Sequence, residues 1–427
     1  MGKRVLVVGG GGREHALAWT LARSATVAGI LCAPGNPGTA ALAENVAVRA
    51  DDVEGLVRLA VERSVDLVVV GPEGPLALGL ADRLRAAGVA TVGHSRAATR
   101  LESSKVWSKG LMGRAGVPTA RYAAYGADEL GAAIAALDGF DERVVIKADG
   151  LAAGKGVVVA DSREEARAAV TAFLGERTLG AAGGTVVIEE RLSGPEVSII
   201  ALTDGMAIRT LLPSRDHKRA HDGDAGPNTG GMGAFAGTAL VDDPLLAEIE
   251  RTILRPVVDA MREEGCPLRG VLYAGLMLTP DGPRVLEFNV RLGDPEAQAI
   301  LPALRSDLGE LLAAVADGTL ADAPPVAHDG RSHVVVVVAS GGYPGEFTSG
   351  HPITGLDAVG EDATVFHAGT ARRHDGALVT AGGRVLTVAA SGDTLAEARD
   401  RAYAARGKVT FDGAWSRSDI ALSEVGR

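Results

Sequence analysis

Residues 287–296 have the sequence Glu-Phe-Asn-Val-Arg-Leu-Gly-Asp-Pro-Glu, and this stretch indicates the fold more directly than any other. It follows an apolar, strand-like segment over residues 271–278 and a Pro-Asp-Gly turn. Alternation along a strand places Glu287, Asn289 and Arg291 on one face. A carboxylate and an amide oxygen beside a fixed cation suit a Mg²⁺ ion that holds polyphosphate oxygens. An exposed strand with a chance salt bridge is the alternative, and this strand alone leaves it open.

Composition and charge narrow the class of protein. The chain has 427 residues, 46% of them hydrophobic, which is enough for two to four domains. Its apolar runs are shorter than the roughly 18 residues that cross a bilayer, and the N-terminus has no secretory layout. The only cysteines, Cys32 and Cys266, fit a reducing cytoplasm, and the formal net charge of −11 argues against a nucleic-acid-binding face. We therefore expect a cytoplasmic monomer with no nucleic-acid or membrane partner.

The first hundred residues alternate between strand-like and helical segments. Strand-like segments lie at residues 4–8, 30–33, 67–70 and 90–93, and residues 76–87 are predicted to form one helix. Such alternation predicts a parallel sheet, and parallel sheets bind ligands beyond the carboxyl ends of their strands. Turns rich in glycine or proline follow the first three strands, so we expect ligand-binding loops there.

A second region begins near residue 101 and ends at a Pro/Ala/Asp-rich stretch, residues 321–330, which is typical of a linker. Within it, residues 214–233 are expected to form a long polar loop, and loops of this length are usually functional or disordered. Strands near 333–339 and 384–390, with a helix after them, predict a small closing α+β domain.

Two glycine-rich loops follow strands. Residues 9–15, Gly-Gly-Gly-Gly-Arg-Glu-His, lack the spacing of a dinucleotide site, so this loop either holds one phosphate or is a mere tight turn. Residues 147–156, Lys-Ala-Asp-Gly-Leu-Ala-Ala-Gly-Lys-Gly, lie between two strands and predict a β-hairpin whose tip folds over a triphosphate. This second loop lacks the spacing and the following helix of a P-loop. Lys147, on the strand, is placed to reach a phosphate as a point charge.

Strand-like residues 186–190 lead into Arg-Leu-Ser-Gly-Pro-Glu at 191–196. Backbone groups after such a strand can contact an adenine edge, and a carboxylate can accept hydrogen bonds from ribose hydroxyls. Acidic residues after a strand are also common on protein surfaces, so this segment alone is weak. The three cations beside Asp216, within residues 215–219, suit an anionic substrate.

A family resemblance joins these segments. The chain contains Gly-Gly-Arg-Glu-His-Ala-Leu-Ala-Trp at 11–19, Ala-Pro-Gly-Asn at 33–36, Val-Gly-Pro-Glu at 70–73, Lys-Ala-Asp-Gly-Leu-Ala-Ala-Gly-Lys-Gly-Val at 147–157, Asp-His-Lys-Arg at 216–219, Gly-Pro-Asn-Thr-Gly-Gly-Met-Gly-Ala at 226–234, Glu-Phe-Asn at 287–289, Gly-Asp-Pro-Glu at 293–296, Gly-Gly-Tyr-Pro-Gly at 341–345 and Phe-His-Ala-Gly-Thr at 366–370. Through these motifs it resembles, almost end to end, the phosphoribosylamine–glycine ligases (glycinamide ribonucleotide synthetases), which are ATP-grasp enzymes of purine biosynthesis.

The resemblance implies an α/β and α+β multidomain protein with an ATP-grasp fold. The N-terminal parallel α/β (pre-ATP-grasp) domain would span residues 1–101, the ATP-grasp domain 102–325 and the small C-terminal α+β domain 326–427. A mobile subdomain is expected at about residues 120–193.

The resemblance also implies ATP as co-substrate, with Mg²⁺ or Mn²⁺. Lys105 and Lys147 would bind the ATP phosphates, and Glu287 with Asn289 would ligate the metal. The other expected nucleotide contacts are Gly154, Lys155 and Gly156 over the phosphates, Glu189, Glu190, Arg191 and Leu192 at adenine, Glu196 at ribose, and Lys218 and Asn228 beside the nucleotide.

Glycine and 5-phosphoribosylamine are the substrates that the resemblance implies. Residues expected to bind them are Gly10, Gly11, Gly12, Glu14, Asn36, Glu73, Asp216, Arg291, Gly293 and Asp294. Arg291, Lys147 and Asp216 are the expected catalytic residues. Many ATP-grasp enzymes bring a second acid from the strand before the metal ligands, but residues 272–278 contain none, so we expect few protein ligands to the metal.

We expect the glycine carboxylate to attack the γ-phosphate of ATP, and the amine of phosphoribosylamine then to attack the resulting glycyl phosphate. Another ATP-grasp carboxylate–amine ligase or carboxylase of nucleotide metabolism is the alternative, and the run at 226–234 argues against it. A nicotinamide-dependent oxidoreductase would need the glycine spacing that residues 9–15 lack. A regulatory protein without catalysis would be expected to lack one of Glu287, Asn289 and Arg291, and all three are present.

Overall fold

A five-stranded parallel sheet forms the N-terminal part of the computed structural model, which describes residues 2–150 and 156–426. The strand order is β3-β2-β1-β4-β5, so the predicted parallel sheet is confirmed. Its elements are β1 (Lys3–Gly9), α1 (Gly12–Leu21), β2 (Val27–Pro34), β3 (Glu44–Asn45), α2 (Val53–Glu62), β4 (Leu67–Val70), α3 (Glu73–Ala77), α4 (Leu80–Ala86) and β5 (Thr91–Val92). The single helix predicted at 76–87 is wrong, because Gly79 takes a left-handed conformation with φ of 88° and separates α3 from α4.

A small antiparallel sheet with its own core lies between residues 122 and 190. The strand order is β6-β9-β7-β8, and buried side chains such as Ile146, Val170 and Ile188 pack on one side of it. The elements here are α5 (Arg100–Ser103), α6 (Lys105–Ala115), β6 (Tyr122–Gly126), α7 (Leu130–Ala136), β7 (Val144–Ala148), β8 (Val157–Ala160), α8 (Arg163–Val170) and β9 (Thr185–Glu190). This sheet lies within the subdomain expected at 120–193, whose mobility stays a prediction.

A larger sheet carries residues of the opening motif at one edge. Along it the strand order is β17-β16-β10-β12-β15-β18-β22-β19, with β11 paired to β10. Before the C-terminal region the elements are β10 (Glu196–Thr203), β11 (Ile208–Thr210), β12 (Ser214–Asp216), β13 (Arg219–His221), β14 (Ala225–Asn228), β15 (Gly233–Ala236), α9 (Asp243–Ile249), α10 (Arg255–Glu263), β16 (Gly270–Thr279), β17 (Gly282–Asn289), α11 (Glu296–Ala303) and α12 (Leu308–Asp317).

The prediction of a long loop at residues 214–233 is wrong, because short strands occupy most of this segment. β12 pairs with β15, and β13 pairs with β14 in a separate hairpin. These strands have three or four residues each, which is too short for a clear alternation of apolar and polar side chains.

The C-terminal region extends the large sheet with three strands and adds a separate two-stranded sheet. Its elements are β18 (Ser332–Ala339), β19 (Ala363–His367), β20 (Thr370–Arg372), β21 (Leu378–Thr380), β22 (Arg384–Gly392) and α13 (Leu395–Arg406). β18 pairs antiparallel with β15, with Gly233 opposite Val336. The sheet therefore crosses the expected domain boundary at residue 326 and joins the C-terminal region to the site. Among the helices that the structure describes, none is long and apolar enough to span a membrane.

Candidate active site

A cleft of about 1170 Å³ opens between the small and large sheets. Its walls include Lys147 from the small sheet and Glu287 from the large one. Glu73 of the N-terminal region and Tyr343 and Arg384 of the C-terminal region also line it. All three parts of the chain therefore contribute to one site.

The floor of the cleft is the end of β17, where Glu287 and Asn289 point toward the open space while Phe288 between them is buried. A bulge shapes this strand, since Gly275 of β16 lies opposite Glu287 and the next residue of β16 lies opposite Val285. The carbonyl oxygen of Leu286, at the bulge, accepts a hydrogen bond of 2.9 Å from Lys147 Nζ. The predicted alternation thus holds for Glu287 and Asn289, but it is wrong for Arg291, because the strand ends at Asn289.

Glu287 remains ionised in this setting. Desolvation in the cleft raises the pKa of its carboxyl, but the positive charges of Lys218, Lys147 and Lys105 outweigh it and hold the pKa below the usual range. Lys218 Nζ lies 3.5 Å from Glu287 Oε1. No group of three or more His, Cys, Asp or Glu side chains is arranged to hold a metal ion within residues 2–150 and 156–426. The carboxylate of Glu287 and the amide oxygen of Asn289 are a donor pair that fits a hard cation completed by phosphate or water oxygens.

Arg291, just beyond β17, is held between two carboxylates. Its Nε lies 3.2 Å from Glu73 Oε2 and its Nη2 lies 3.1 Å from Glu102 Oε1. Burial alone would lower the pKa of Arg291, but these two acids raise it, so the guanidinium stays charged. Glu102 also accepts a hydrogen bond of 2.7 Å from the backbone N–H of Val290. Sequence reasoning missed Glu102, since an acid in a short helix is usually a surface residue.

Glu189, which is predicted to lie at adenine, lines the cleft and pairs with two lysines, and its contact with adenine stays a prediction. Its side chain is buried, with Oε2 3.0 Å from Lys147 Nζ and Oε1 3.2 Å from Lys109 Nζ. The carboxylate is thus engaged by two cations, because the three side chains meet where α6 approaches the small sheet. Lys109 was missed, since nothing in its local sequence separates it from an ordinary helix residue.

The other residues expected at the nucleotide lie around the same cleft or close to it. Glu190 accepts from the backbone N–H of Arg121 at 2.8 Å, and Arg191 forms an ion pair with Asp161. Lys105 Nζ donates to the carbonyl oxygen of Gly150 at 3.3 Å. Leu192, Glu196, Lys218, Asn228 and Gly156 line the cleft. Gly154 and Lys155 lie outside the described residues.

Asp216 sits among like charges on the far side of the cleft. Desolvation raises the pKa of this carboxyl to about 8, with Lys218 opposing the rise and Glu296 adding to it. Glu296 accepts a hydrogen bond of 3.0 Å from the Tyr273 hydroxyl. Desolvation therefore favours the protonated form of Asp216, which can donate a hydrogen bond to an anion.

The N-terminal loops do not all reach the cleft as predicted. Glu14 caps helix α1 by accepting from the N–H of Gly11 at 2.6 Å, and it pairs with Arg13 at 2.7 Å. The amide of Asn36 donates to Gly10 O at 3.0 Å and accepts from neighbouring backbone N–H groups. Both side chains are buried and used inside the loops, so their placement does not support direct contact with substrate.

Packing against other segments explains the remaining glycines of this set. A Cβ on Gly10 would lie 2.5 Å from Gly35 O, one on Gly12 2.5 Å from Gln298 Nε2, and one on Gly293 2.4 Å from Glu296 Oε2. Gln298 Nε2 donates to Asp294 Oδ1 at 2.8 Å. Gly10 thus allows close approach to Gly35, and Gly12 allows close approach to Gln298, which contacts the cleft-lining Asp294.

The C-terminal region supplies two side chains that sequence reasoning missed. Arg384 Nη1 donates to the carbonyl oxygen of Asp294 at 2.6 Å and also to that of Gly230. The Tyr343 hydroxyl accepts from the N–H of Gly230 at 3.1 Å. The quoted motif Gly-Gly-Tyr-Pro-Gly at 341–345 contained a signal for Tyr343, but only the continuous sheet shows that it faces the cleft.

Two sheets that face each other across a lysine-lined cleft, with a carboxylate and an amide at its floor, define an ATP-grasp protein. Three sequence models of phosphoribosylglycinamide synthetase match the chain: the N domain at residues 3–102, the ATP-grasp (A) domain at 103–297 and the C domain at 333–423. The chain therefore belongs to the phosphoribosylglycinamide synthetase family.

Individual relatives and solved structures agree with this assignment. A phosphoribosylamine–glycine ligase of Rhodopirellula baltica is 50% identical over 424 residues, covering 97% of this chain and 96% of the relative. The trifunctional purine biosynthetic protein adenosine-3 of Homo sapiens is 47% identical over 428 residues, covering all of this chain and 42% of that protein. The crystal structure of phosphoribosylamine–glycine ligase from Thermotoga maritima has a TM-score of 0.84 at 35% identity, covering 98% of this chain and 100% of that one. A biotin carboxylase of Campylobacter jejuni, at 15% identity and a TM-score of 0.73, shares the fold.

Proposed function

We propose that this chain ligates glycine to 5-phosphoribosylamine at the expense of ATP. The products are N1-(5-phosphoribosyl)glycinamide, ADP and phosphate, and the step belongs to de novo purine (IMP) biosynthesis. Family membership supports this activity. The observation that carries it in the structure is the meeting of two charge patterns in one cleft. The lysines Lys105, Lys147 and Lys218 lie on the side of Glu287, and the Glu73–Arg291 pair lies beside them.

The first step activates the glycine carboxylate, which is a poor acyl donor because its leaving group would be oxide. A carboxylate oxygen forms a bond to the γ-phosphorus of ATP while the bond from that phosphorus to the bridging oxygen breaks, giving glycyl phosphate and ADP. Such a transfer needs positioning and charge neutralisation rather than a protein nucleophile. Lys147 and Lys105 neutralise the phosphates, and Arg291 orients the oxygens of the transferred phosphoryl group.

The second step forms the amide. The amine nitrogen of phosphoribosylamine attacks the acyl carbon, the bond from that carbon to the phosphate oxygen breaks, and the amine's proton passes to the departing phosphate. Glu73 and Asp294 lie on the substrate side of Arg291 and bind the amine substrate. Desolvation favours the protonated form of Asp216, which would donate a hydrogen bond to the glycine carboxylate. Closure of the small sheet over the cleft keeps water from the acyl phosphate.

Mg²⁺ or Mn²⁺ would be held by Glu287 and Asn289. Both donors are hard oxygens, and the surrounding lysines keep Glu287 ionised. When bound, the metal supplies charge neutralisation at the phosphate oxygens.

The assay that tests the activity measures ADP with each component omitted in turn. Purified protein receives ATP, Mg²⁺, glycine and freshly made phosphoribosylamine. We expect ADP in proportion to the amide formed, and none above background without either glycine or the amine. ADP release that ignores the amine would reject the proposed reaction.

A further inference from the structure

A buried lysine that has no role in the proposed reaction lies at the base of the small sheet. Lys109 is on α6, one helical turn after Lys105, and its side chain is only 3% exposed. Its ammonium donates to Thr119 Oγ1 at 2.8 Å and forms an ion pair with Glu189 Oε1 at 3.2 Å. It also lies 5.5 Å from the ring centre of Tyr122 on β6. Burying a lysine is costly unless its charge is paired, and here the surrounding protein groups compensate the charge of Lys109.

The contacts continue from Lys109 to the residue expected to hold the ATP phosphates. Glu189 uses its second oxygen, Oε2, to pair with Lys147 Nζ at 3.0 Å. Lys147 in turn donates to Leu286 O at the bulge of β17, next to the metal-binding Glu287. One line of polar contacts therefore runs from α6 through β9 and β7 to the strand at the floor of the cleft.

Lys109 affects Lys147 because both ammonium groups pair with the same carboxylate, that of Glu189. Glu189 is a single carboxylate between two ammonium groups, so its attraction for Lys147 is shared with Lys109. Without Lys109, Lys147 would be the only cation in an ion pair with Glu189 in a buried setting, where attraction between charges is strong. Lys147 would then be held closer to Glu189 and would be less free to bind a phosphate.

We propose that Lys109 is a positioning residue for the nucleotide: through Glu189 it fixes the ammonium of Lys147 at the phosphate position and holds the small sheet against β17. This inference rests on the proposed function only in taking ATP as the ligand. Lys109 itself contacts protein groups and not the reacting atoms.

A double-mutant cycle tests this chain of contacts. Lys109→Met, Glu189→Gln and the double variant are compared with the wild-type protein in the dissociation constant of a Mg²⁺ complex of a non-hydrolysable ATP analogue. We expect Lys109→Met to weaken binding by about tenfold or more, the size of a weakened charge-assisted contact. In the Glu189→Gln background the same change should weaken binding by less than about threefold, because the group through which Lys109 acts has lost its charge.

Kinetics distinguish positioning from a general structural role. Lys109→Met should raise the KM for ATP while the KM for glycine and kcat stay within about threefold of wild type. Lys408→Met is the matched control, since Lys408 Nζ donates to Val359 O at 3.4 Å in the C-terminal region, away from the cleft. If thermal melting shows that Lys109→Met does not fold, Lys109→Gln replaces it, since its amide keeps a donor for Thr119.

Independent effects of the two substitutions on analogue binding, or equal rises in both KM values, would overturn the role of Lys109. Failure of the proposed function gives a different result. The wild-type protein would then form no ADP in response to glycine and amine, while the binding cycle would still report on Lys109.

Discussion

Replacing Arg291 by alanine tests the site where the two substrate sides meet. Arg291 is the only cation within 4 Å of Glu102 among the ion pairs of the described residues, and it lies 3.1 Å from Glu102 and 3.2 Å from Glu73. The Glu102 side chain is 6% exposed, so Arg291→Ala leaves a buried carboxylate without its cation. Breaking such a pair costs about 3–5 kcal/mol. Glu73 is 30% exposed and partly solvated, which places the expected loss of unfolding free energy near the lower end, about 3 kcal/mol.

The same substitution should also slow catalysis in the protein that stays folded. Removing one preorganised donor from a developing charge typically lowers kcat by about 10²–10³. We therefore expect glycine-dependent ADP formation, at saturating ATP and glycine, to fall by about that factor in protein that melting curves show to be folded. Arg291→Lys keeps the positive charge but cannot contact Glu73 and Glu102 together, so we expect its kcat to fall by less than that of Arg291→Ala.

Arg83→Ala is the control, because Arg83 also pairs with a carboxylate, Glu54 at 2.7 Å, but both side chains are more than half exposed and lie outside the cleft. This substitution should lower the free energy of unfolding by less than about 1 kcal/mol and leave kcat unchanged. A folded Arg291→Ala protein with kcat within about threefold of wild type would refute the placement of Arg291 at the transferred phosphoryl group.

Three further changes have defined outcomes. Glu287→Gln removes a charged metal donor, so the Mg²⁺ concentration for half-maximal ADP formation should rise about tenfold or more, and an unchanged Mg²⁺ titration would remove Glu287 from the metal site. In the folded protein desolvation raises the pKa of Asp216 to about 8, against about 3.9 in the unfolded chain. Between these two values the folded state binds the extra proton. The contribution of this group to the free energy of unfolding therefore declines as pH rises from about 4 to 8. Asp216→Asn should flatten that decline in urea denaturation, and parallel curves for the two proteins would contradict the assignment. The Phe366 ring is fully buried, 5.5 Å from the ring of His15 and 5.9 Å from that of Trp19, and it packs the N- and C-terminal regions together. Phe366→Ala should therefore lower the free energy of unfolding by about 3–5 kcal/mol, whereas Val425→Ala on the surface should lower it little in the same melting experiments.

Local patterns predicted the strands and the shared face of Glu287 and Asn289, because these features depend on neighbours in sequence. The parallel sheet followed from alternating apolar segments, and Glu287 with Asn289 followed from the two-residue period of a strand. The pairing of β7 with β8 in the small sheet followed in the same way from the hairpin pattern around residues 147–156. These features need no knowledge of distant segments.

Contacts between distant segments account for what the sequence did not predict. Glu102 matters because α5 brings it to Arg291, 189 residues later in the chain, and Arg384 matters because β22 continues the large sheet toward Asp294. Glu14 and Asn36 belong to matching motifs, but a motif does not distinguish a substrate ligand from a side chain that holds a loop together. In the structure both side chains hydrogen-bond within the loops, and their contact with substrate stays a prediction.

Glycine labelled with ¹⁸O in both carboxylate oxygens tests the central claim, the activation of glycine by phosphoryl transfer. If a carboxylate oxygen attacks the γ-phosphorus, one labelled oxygen leaves in the inorganic phosphate and the other remains in the amide carbonyl. Mass spectrometry of the phosphate and of the glycinamide product reads both positions. We predict one ¹⁸O in each phosphate released per amide formed. Phosphate without label, with amide formed at the normal rate, would contradict the account.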